Sequence, residues 1–204
     1  MDFEDYKLAM DSGEQKAKYV RCADKDLKNQ WDRIKKVEEE GQQQGFISES
    51  DAKVMIPEKP VPGRLYGLAK DHKPVPPGSN IPKLREVISG SGSNTEYISA
   101  FVDHHAKPEV QKLVSYIEDT PDILRKINAK NSRGPLPPGA IPVVMDVSAL
   151  YPSVPRQEGL DSLQKALNKR TDRSVPNSFL LKLMTYVLTM NTFVWDGKLF
   201  TRVS

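Results

Sequence analysis

The distribution of proline constrains this chain more than any other feature of its sequence. Proline fixes one backbone dihedral and has no N–H to donate, so it interrupts helices and sheets. The chain has 16 prolines in 204 residues, which exceeds the roughly 5% of average usage. They cluster at 57–62, 74–82 and 135–142. Regular structure is therefore expected between these three segments, and the segments themselves are predicted to be loops or stiff linkers.

Composition indicates a globular chain. Hydrophobic residues make up 38% and charged residues 28% of the sequence, which is enough apolar material for one or two packed cores. The formal net charge of +3 is too small to establish a nucleic-acid partner. Cys22 is the only cysteine, which favours an intracellular setting, nuclear or cytoplasmic. No apolar run reaches the roughly 18 residues of a membrane span, so no membrane partner is expected.

The N-terminal region, residues 1–56, is predicted to be helical. Four apolar residues recur at the spacing of one helix face: Leu27, Trp31, Ile34 and Val37. They predict a helix that ends near Gly41. Ser48 is predicted to cap a second, short helix, with Asp51 three positions later as an imperfect capping box.

Two short β-like runs, 64–68 and 84–88, predict the strands of a β-hairpin with a long loop. Five basic and two acidic residues lie between Gly63 and Ile88, which favours contact with phosphate. The alternative is an ordinary solvated basic loop. The candidate phosphate-binding residues are Lys70, Lys73 and Arg85.

The remaining chain is predicted to be mostly helical, with a second hairpin near its end. Helices are predicted over 94–104, from Pro108, from Thr120-Pro121, over 156–170 and near 177–190. Asp196-Gly197 separates two apolar runs and predicts a type I′ turn in a hairpin over 192–201.

The run 141–147 is predicted to be a buried strand with the carboxylate of Asp146 towards its end. Polymerases that use two magnesium ions need a carboxylate fixed in this way, because both metals must be held about 4 Å apart. Asp146 is therefore a candidate catalytic residue and metal ligand, and the alternative is a carboxylate that caps the following turn. Tyr151 lies five positions on, either beneath an incoming sugar or as a core aromatic.

The segment from Asp146 to Tyr151 resembles motif A of reverse transcriptases. Gly63-Arg64-Leu65-Tyr66-Gly67-Leu68-Ala69-Lys70-Asp71-His72-Lys73-Pro74 and Leu84-Arg85-Glu86-Val87-Ile88-Ser89-Gly90 resemble the two fingers-hairpin motifs of Penelope-like retroelements. Ala69 and Glu86 stand where that pattern has prolines. Residues 192–200 resemble the segment before motif B. The resemblance covers roughly residues 60 to 204 and stops before motifs B and C.

The resemblance implies an α+β fold, an incomplete fingers and palm of a right-hand polymerase after the helical N-terminal region. The fingers would span 57–134 and the partial palm 135–204. The implied activity is RNA-directed DNA synthesis, with an RNA template, a DNA primer and deoxynucleotides as partners. Two magnesium ions would be bound by Asp146, helped by the Val147 carbonyl.

The nucleotide-binding residues that the resemblance implies are Lys70, Lys73, Arg85 and Tyr151. Because the aspartates of motif C are absent from the sequence, the chain is expected to be inactive alone and to bind magnesium weakly or not at all. The alternative is a non-catalytic nucleic-acid-binding or interaction module derived from a retroelement.

Overall fold

The structure is a computed structural model that describes residues 3–11, 19–55, 57–71, 73–75, 81–141, 143–147 and 150–202. Its helices are α1 (Phe3–Asp11), α2 (Asp24–Gln43), α3 (Glu49–Met55), α4 (Glu96–Gln111), α5 (Thr120–Asn131), α6 (Leu150–Ser153), α7 (Arg156–Leu167) and α8 (Asn177–Thr189). Its strands are β1 (Tyr19–Arg21), β2 (Gly63–Ala69), β3 (Leu84–Ser89), β4 (Phe193–Trp195) and β5 (Lys198–Arg202). This mixture of helices and one sheet is compatible with the predicted α+β class, whereas fingers and palm stay a prediction.

The chain divides into two compact units. One contains Met1–Val102 with Ser174–Ser204, and the other contains Asp103–Arg173. The sheet belongs to the first unit, whereas α5, α6 and α7 belong to the second. The predicted division at residues 56 and 134 rests on the resemblance and stays a prediction.

The described residues form one five-stranded sheet in the order β1-β5-β4-β2-β3. Strands β2 and β3 form the predicted antiparallel hairpin, and β2 also pairs in parallel with β4, where Gly63 lies opposite Phe193. Asp196 and Gly197 both have positive φ, 47° and 68°, which confirms the type I′ turn between β4 and β5. The sheet therefore joins segments predicted for the N-terminal region, the first hairpin and the terminal hairpin.

The helical predictions near the N-terminus are confirmed. Helix α2 buries three of the four predicted face residues, Leu27, Ile34 and Val37. The fourth, Trp31, is half-buried, and its indole N–H donates to the carbonyl of Pro57 at 3.0 Å. The Ser48 hydroxyl accepts the N–H of Asp51 at 3.1 Å, so it caps α3 as predicted.

Two local predictions are wrong. Residues 141 and 143–147 form no strand and are exposed, with Val144 at 96% and Met145 at 89% of full exposure. A buried strand needs a neighbouring strand to satisfy its backbone, and within the described part of the chain none pairs with this segment. Pro108 does not begin a helix but lies inside α4. Proline there cannot donate to the preceding turn, and the helix ends three residues later, at Gln111.

Candidate functional site

The hairpin of β2 and β3 has one open face. Side chains alternate along a strand, and directly opposite residues share a face. The pairs Arg64–Ser89, Tyr66–Val87 and Leu68–Arg85 therefore lie together. We call these six residues the outer face. None of the six is buried, and Tyr66 and Leu68 are 39% and 50% exposed.

The opposite face of the hairpin packs against α1. The Tyr6 hydroxyl accepts the backbone N–H of Gly67 at 2.6 Å, where β4 no longer pairs with β2. A Cβ at Gly67 would lie 2.6 Å from the sulfur of Met10, so glycine permits the close approach of this helix. The hairpin thus contributes one face to packing and leaves the other to solvent.

Basic residues extend the outer face towards the hairpin loop. The N–H of Lys70 donates to the carbonyl of Lys83 at 2.9 Å, which continues the register of the two strands by one pair. Alternation then places Lys70 and Lys83 on the same face as Arg85. Arg64 and Arg85 are both exposed. The outer face and its continuation therefore carry four cationic side chains along the two strands: Arg64, Lys70, Lys83 and Arg85.

Glu86 is the one acidic residue in the two strands, and it lies on the opposite face from Arg85. It pairs across the hairpin with Gly67 and accepts a hydrogen bond from the Tyr19 hydroxyl at 3.3 Å. The pKa of Tyr19 is raised to about 12, mainly by burial and secondly by the charge of Glu86. The positive charge of Arg85 is consequently not offset by a carboxylate on its own face of the strands.

The predicted nucleotide-binding residues lie partly together. Lys70 and Arg85 share the face defined above, and Lys73 is exposed in the turn after β2, where its N–H donates to the Lys70 carbonyl at 3.1 Å. The backbone of Tyr151 belongs to α6. The side chain of Tyr151 lies outside the described part of the structure.

Asp146 and Val147 belong to the unit Asp103–Arg173, whereas Lys70 and Arg85 belong to the other unit. Asp146 is exposed, and its Oδ1 accepts the N–H of Val147 at 2.9 Å. Among the described residues, no group of three or more His, Cys, Asp or Glu side chains is placed to hold a metal. One carboxylate and one carbonyl do not fit two magnesium ions.

Arg64 and Tyr66 were not among the residues predicted for the site, although both lie within the motif that carries the resemblance. The period-two spacing of Arg64, Tyr66 and Leu68 is the signal that groups them. Grouping these residues with Arg85 on one face also requires the pairing register of β2 with β3. The loop between the strands is too long to set that register from turn chemistry.

No protein-family model matches the chain, and neither a curated protein nor a solved structure matches it. In the described part of the chain, no helix combines the length and apolar character needed to cross a membrane. Support for a function comes from the sequence resemblance and from the geometry of the outer face.

Proposed function

We propose that the chain is a nucleic-acid-binding segment of a reverse transcriptase similar to those of Penelope-like retroelements. One observation carries the proposal: the basic residues of the hairpin share one open face, while its acidic strand residue lies on the other. These basic residues are Arg64, Lys70, Lys83 and Arg85. A row of cations of this kind binds the phosphates of RNA and DNA through charge-assisted hydrogen bonds.

The loop end of the hairpin is proposed to bind deoxynucleotide triphosphates in the complete enzyme. Arg85 has a planar guanidinium that donates two parallel hydrogen bonds to one phosphate, whereas Lys70 and Lys73 act as flexible point charges. Their proximity on one hairpin supports this role. An RNA template and a DNA primer are the partners that the resemblance adds, and Tyr151 is proposed to contact the nucleotide.

The chain alone is proposed not to polymerise DNA. Asp146 is a single exposed carboxylate, and within the described part of the chain it accepts one hydrogen bond, from the N–H of Val147. Two-metal chemistry needs several oxygen ligands in a fixed geometry. In the complete enzyme, Asp146 and the Val147 carbonyl would hold magnesium by resemblance. The second candidate is a non-catalytic nucleic-acid-binding module. It is favoured because the outer face contains neither Asp146 nor Val147 and would bind phosphates without them.

The proposed function is tested by the affinity for an RNA–DNA hybrid at two salt concentrations. Lys70→Ala combined with Arg85→Ala removes two proposed phosphate contacts. We expect roughly tenfold weaker binding at low salt and a salt slope reduced by about two. The matched control is Lys25→Ala with Lys36→Ala, which removes the same charge from exposed positions of α2.

The control decides between a defined surface and general attraction. If both double variants weaken binding equally, the chain responds to net charge and has no interface on the hairpin. Unchanged affinity in the Lys70 and Arg85 variant would remove the basis for the proposal.

A further inference from the structure

We propose that the outer face is selective for single-stranded nucleic acid and that an unpaired base stacks on the ring of Tyr66. This inference rests on the proposed function and specifies the nucleic-acid partner of the same surface. Its new element is Tyr66, which lies outside the set of residues proposed to bind the triphosphate.

Tyr66 lies between the two arginines of the outer face. Arg64 is two residues before it on β2, at a spacing of about 7 Å. Arg85 is its diagonal neighbour on β3, because Tyr66 pairs directly with Val87, and diagonal neighbours lie roughly 7–8 Å apart. Both guanidinium groups can therefore reach phosphates on either side of a base stacked on the ring.

Other tyrosines near the sheet have structural partners. Tyr6 accepts a backbone hydrogen bond and packs edge-on against Trp195, with ring centroids 6.0 Å apart. Tyr19 donates to Glu86 and packs edge-on against Phe193 at 5.0 Å. Among the described residues, neither a hydrogen bond nor a ring contact is found for Tyr66. The side chain of Tyr66 is 39% exposed, so part of it is open to solvent, and it packs against no other ring in the described part of the chain.

Stacking distinguishes single strands from duplexes. The face of a base is free to stack on a side chain only when the base is unstacked from its neighbours, and such stacking tolerates any base sequence. Leu68 and Val87 flank the ring with apolar atoms, whereas the arginines match the charge of the backbone. An acidic polypeptide would satisfy the arginines but would have no planar group for the ring.

The test compares a labelled single-stranded RNA of about 12 nucleotides, a length within the usual site size, with a duplex that has the same number of phosphates. Tyr66→Leu keeps apolar bulk but removes the ring, and we expect about tenfold weaker binding of the single strand with duplex affinity unchanged. Tyr66→Phe keeps the ring and should retain affinity. The matched control is Tyr97→Leu, since Tyr97 on α4 is similarly exposed at 42%.

Three outcomes would overturn the inference. The wild-type chain could bind both RNAs with equal affinity, or Tyr66→Leu could bind the single strand as tightly as wild type. Polyglutamate could also displace the labelled single strand as well as unlabelled RNA of the same total charge does. Failure of this inference is distinguishable from failure of the proposed function. If Lys70→Ala with Arg85→Ala weakens binding but Tyr66→Leu does not, the hairpin binds phosphates without stacking a base. If neither variant matters, both proposals fail.

Discussion

Glu38 is a carboxylic acid on the buried face of α2, beside Ile34 and Val37. Its side chain is fully buried, and neither carboxylate oxygen has a hydrogen-bond partner within the described part of the chain. Burial, and to a smaller extent the charge of Glu39, raises the pKa of Glu38 to about 8. The neutral acid is favoured because an unpaired buried charge is costly.

This pKa predicts that Glu38 destabilises the fold as pH rises. Between about 4.5 and about 8 the folded chain keeps a proton that the unfolded chain releases, so this contribution to stability is present below that window and lost above it. Glu38→Gln should change the free energy of unfolding by less than about 1 kcal/mol at pH 4 but increase it by roughly 3 kcal/mol at pH 9. Urea unfolding at both pH values measures it.

Glu58→Gln is the control, because Glu58 is exposed in the same unit of the chain. It should show no comparable dependence on pH. Equal stability of wild type and Glu38→Gln at pH 9 would contradict the claim that Glu38 is buried as a neutral acid.

The sequence contained part of this result. Ile34, Val37, Glu38 and Gly41 follow helical spacing, which indicates that position 38 is on the buried face. The residue type indicates the opposite, since glutamate is rarely buried without a partner. Periodicity is therefore consistent with burial of position 38, whereas the absence of a partner among the described residues depends on tertiary packing.

At the level of elements, two predictions from local chemistry succeeded, whereas one strand that needs a distant partner was predicted wrongly. The Ser48 cap and the Asp196-Gly197 turn depend on a few adjacent residues, and both are confirmed. The strand predicted over 141–147 depended on a neighbouring strand, which an apolar pattern cannot provide. Strand β1 was not predicted, because its three residues form a strand only through pairing with β5.

Close packing of α2 against α8 gives a prediction for Gly41. A Cβ at this position would lie 2.5 Å from Cζ of Phe179 and 3.0 Å from Cδ1 of Ile47. Gly41→Ala should therefore destabilise the chain by about 1–2 kcal/mol, because overpacking outweighs the gain in helix propensity. Urea unfolding followed by tryptophan fluorescence measures this, since Trp31 and Trp195 lie in the same unit.

Gly90→Ala is a suitable control, because the nearest described atom to a Cβ at Gly90 would be Ser93 Oγ, at an ordinary contact distance of 3.6 Å. It should change stability by less than about 0.5 kcal/mol. A Gly41→Ala variant as stable as wild type would show that the helices do not approach this closely.

The two units of the molecule differ in how they use their apolar residues. The unit with the sheet buries a core that includes Leu180, Leu183 and Phe193. In the unit Asp103–Arg173, α5 has no buried residue, and Ile123 and Leu124 are 37% and 54% exposed. The proposed interface belongs to the unit with the larger described core.

The central claim is that nucleic acid binds to the outer face of β2 and β3. The most direct test is titration of the isotope-labelled chain with an RNA–DNA hybrid, followed residue by residue through backbone amide chemical shifts. The account predicts that the largest changes fall on residues 64–70 and 83–89, with α5 unaffected. Changes centred on α5 or on residues 143–147, or none at saturating concentrations, would contradict it.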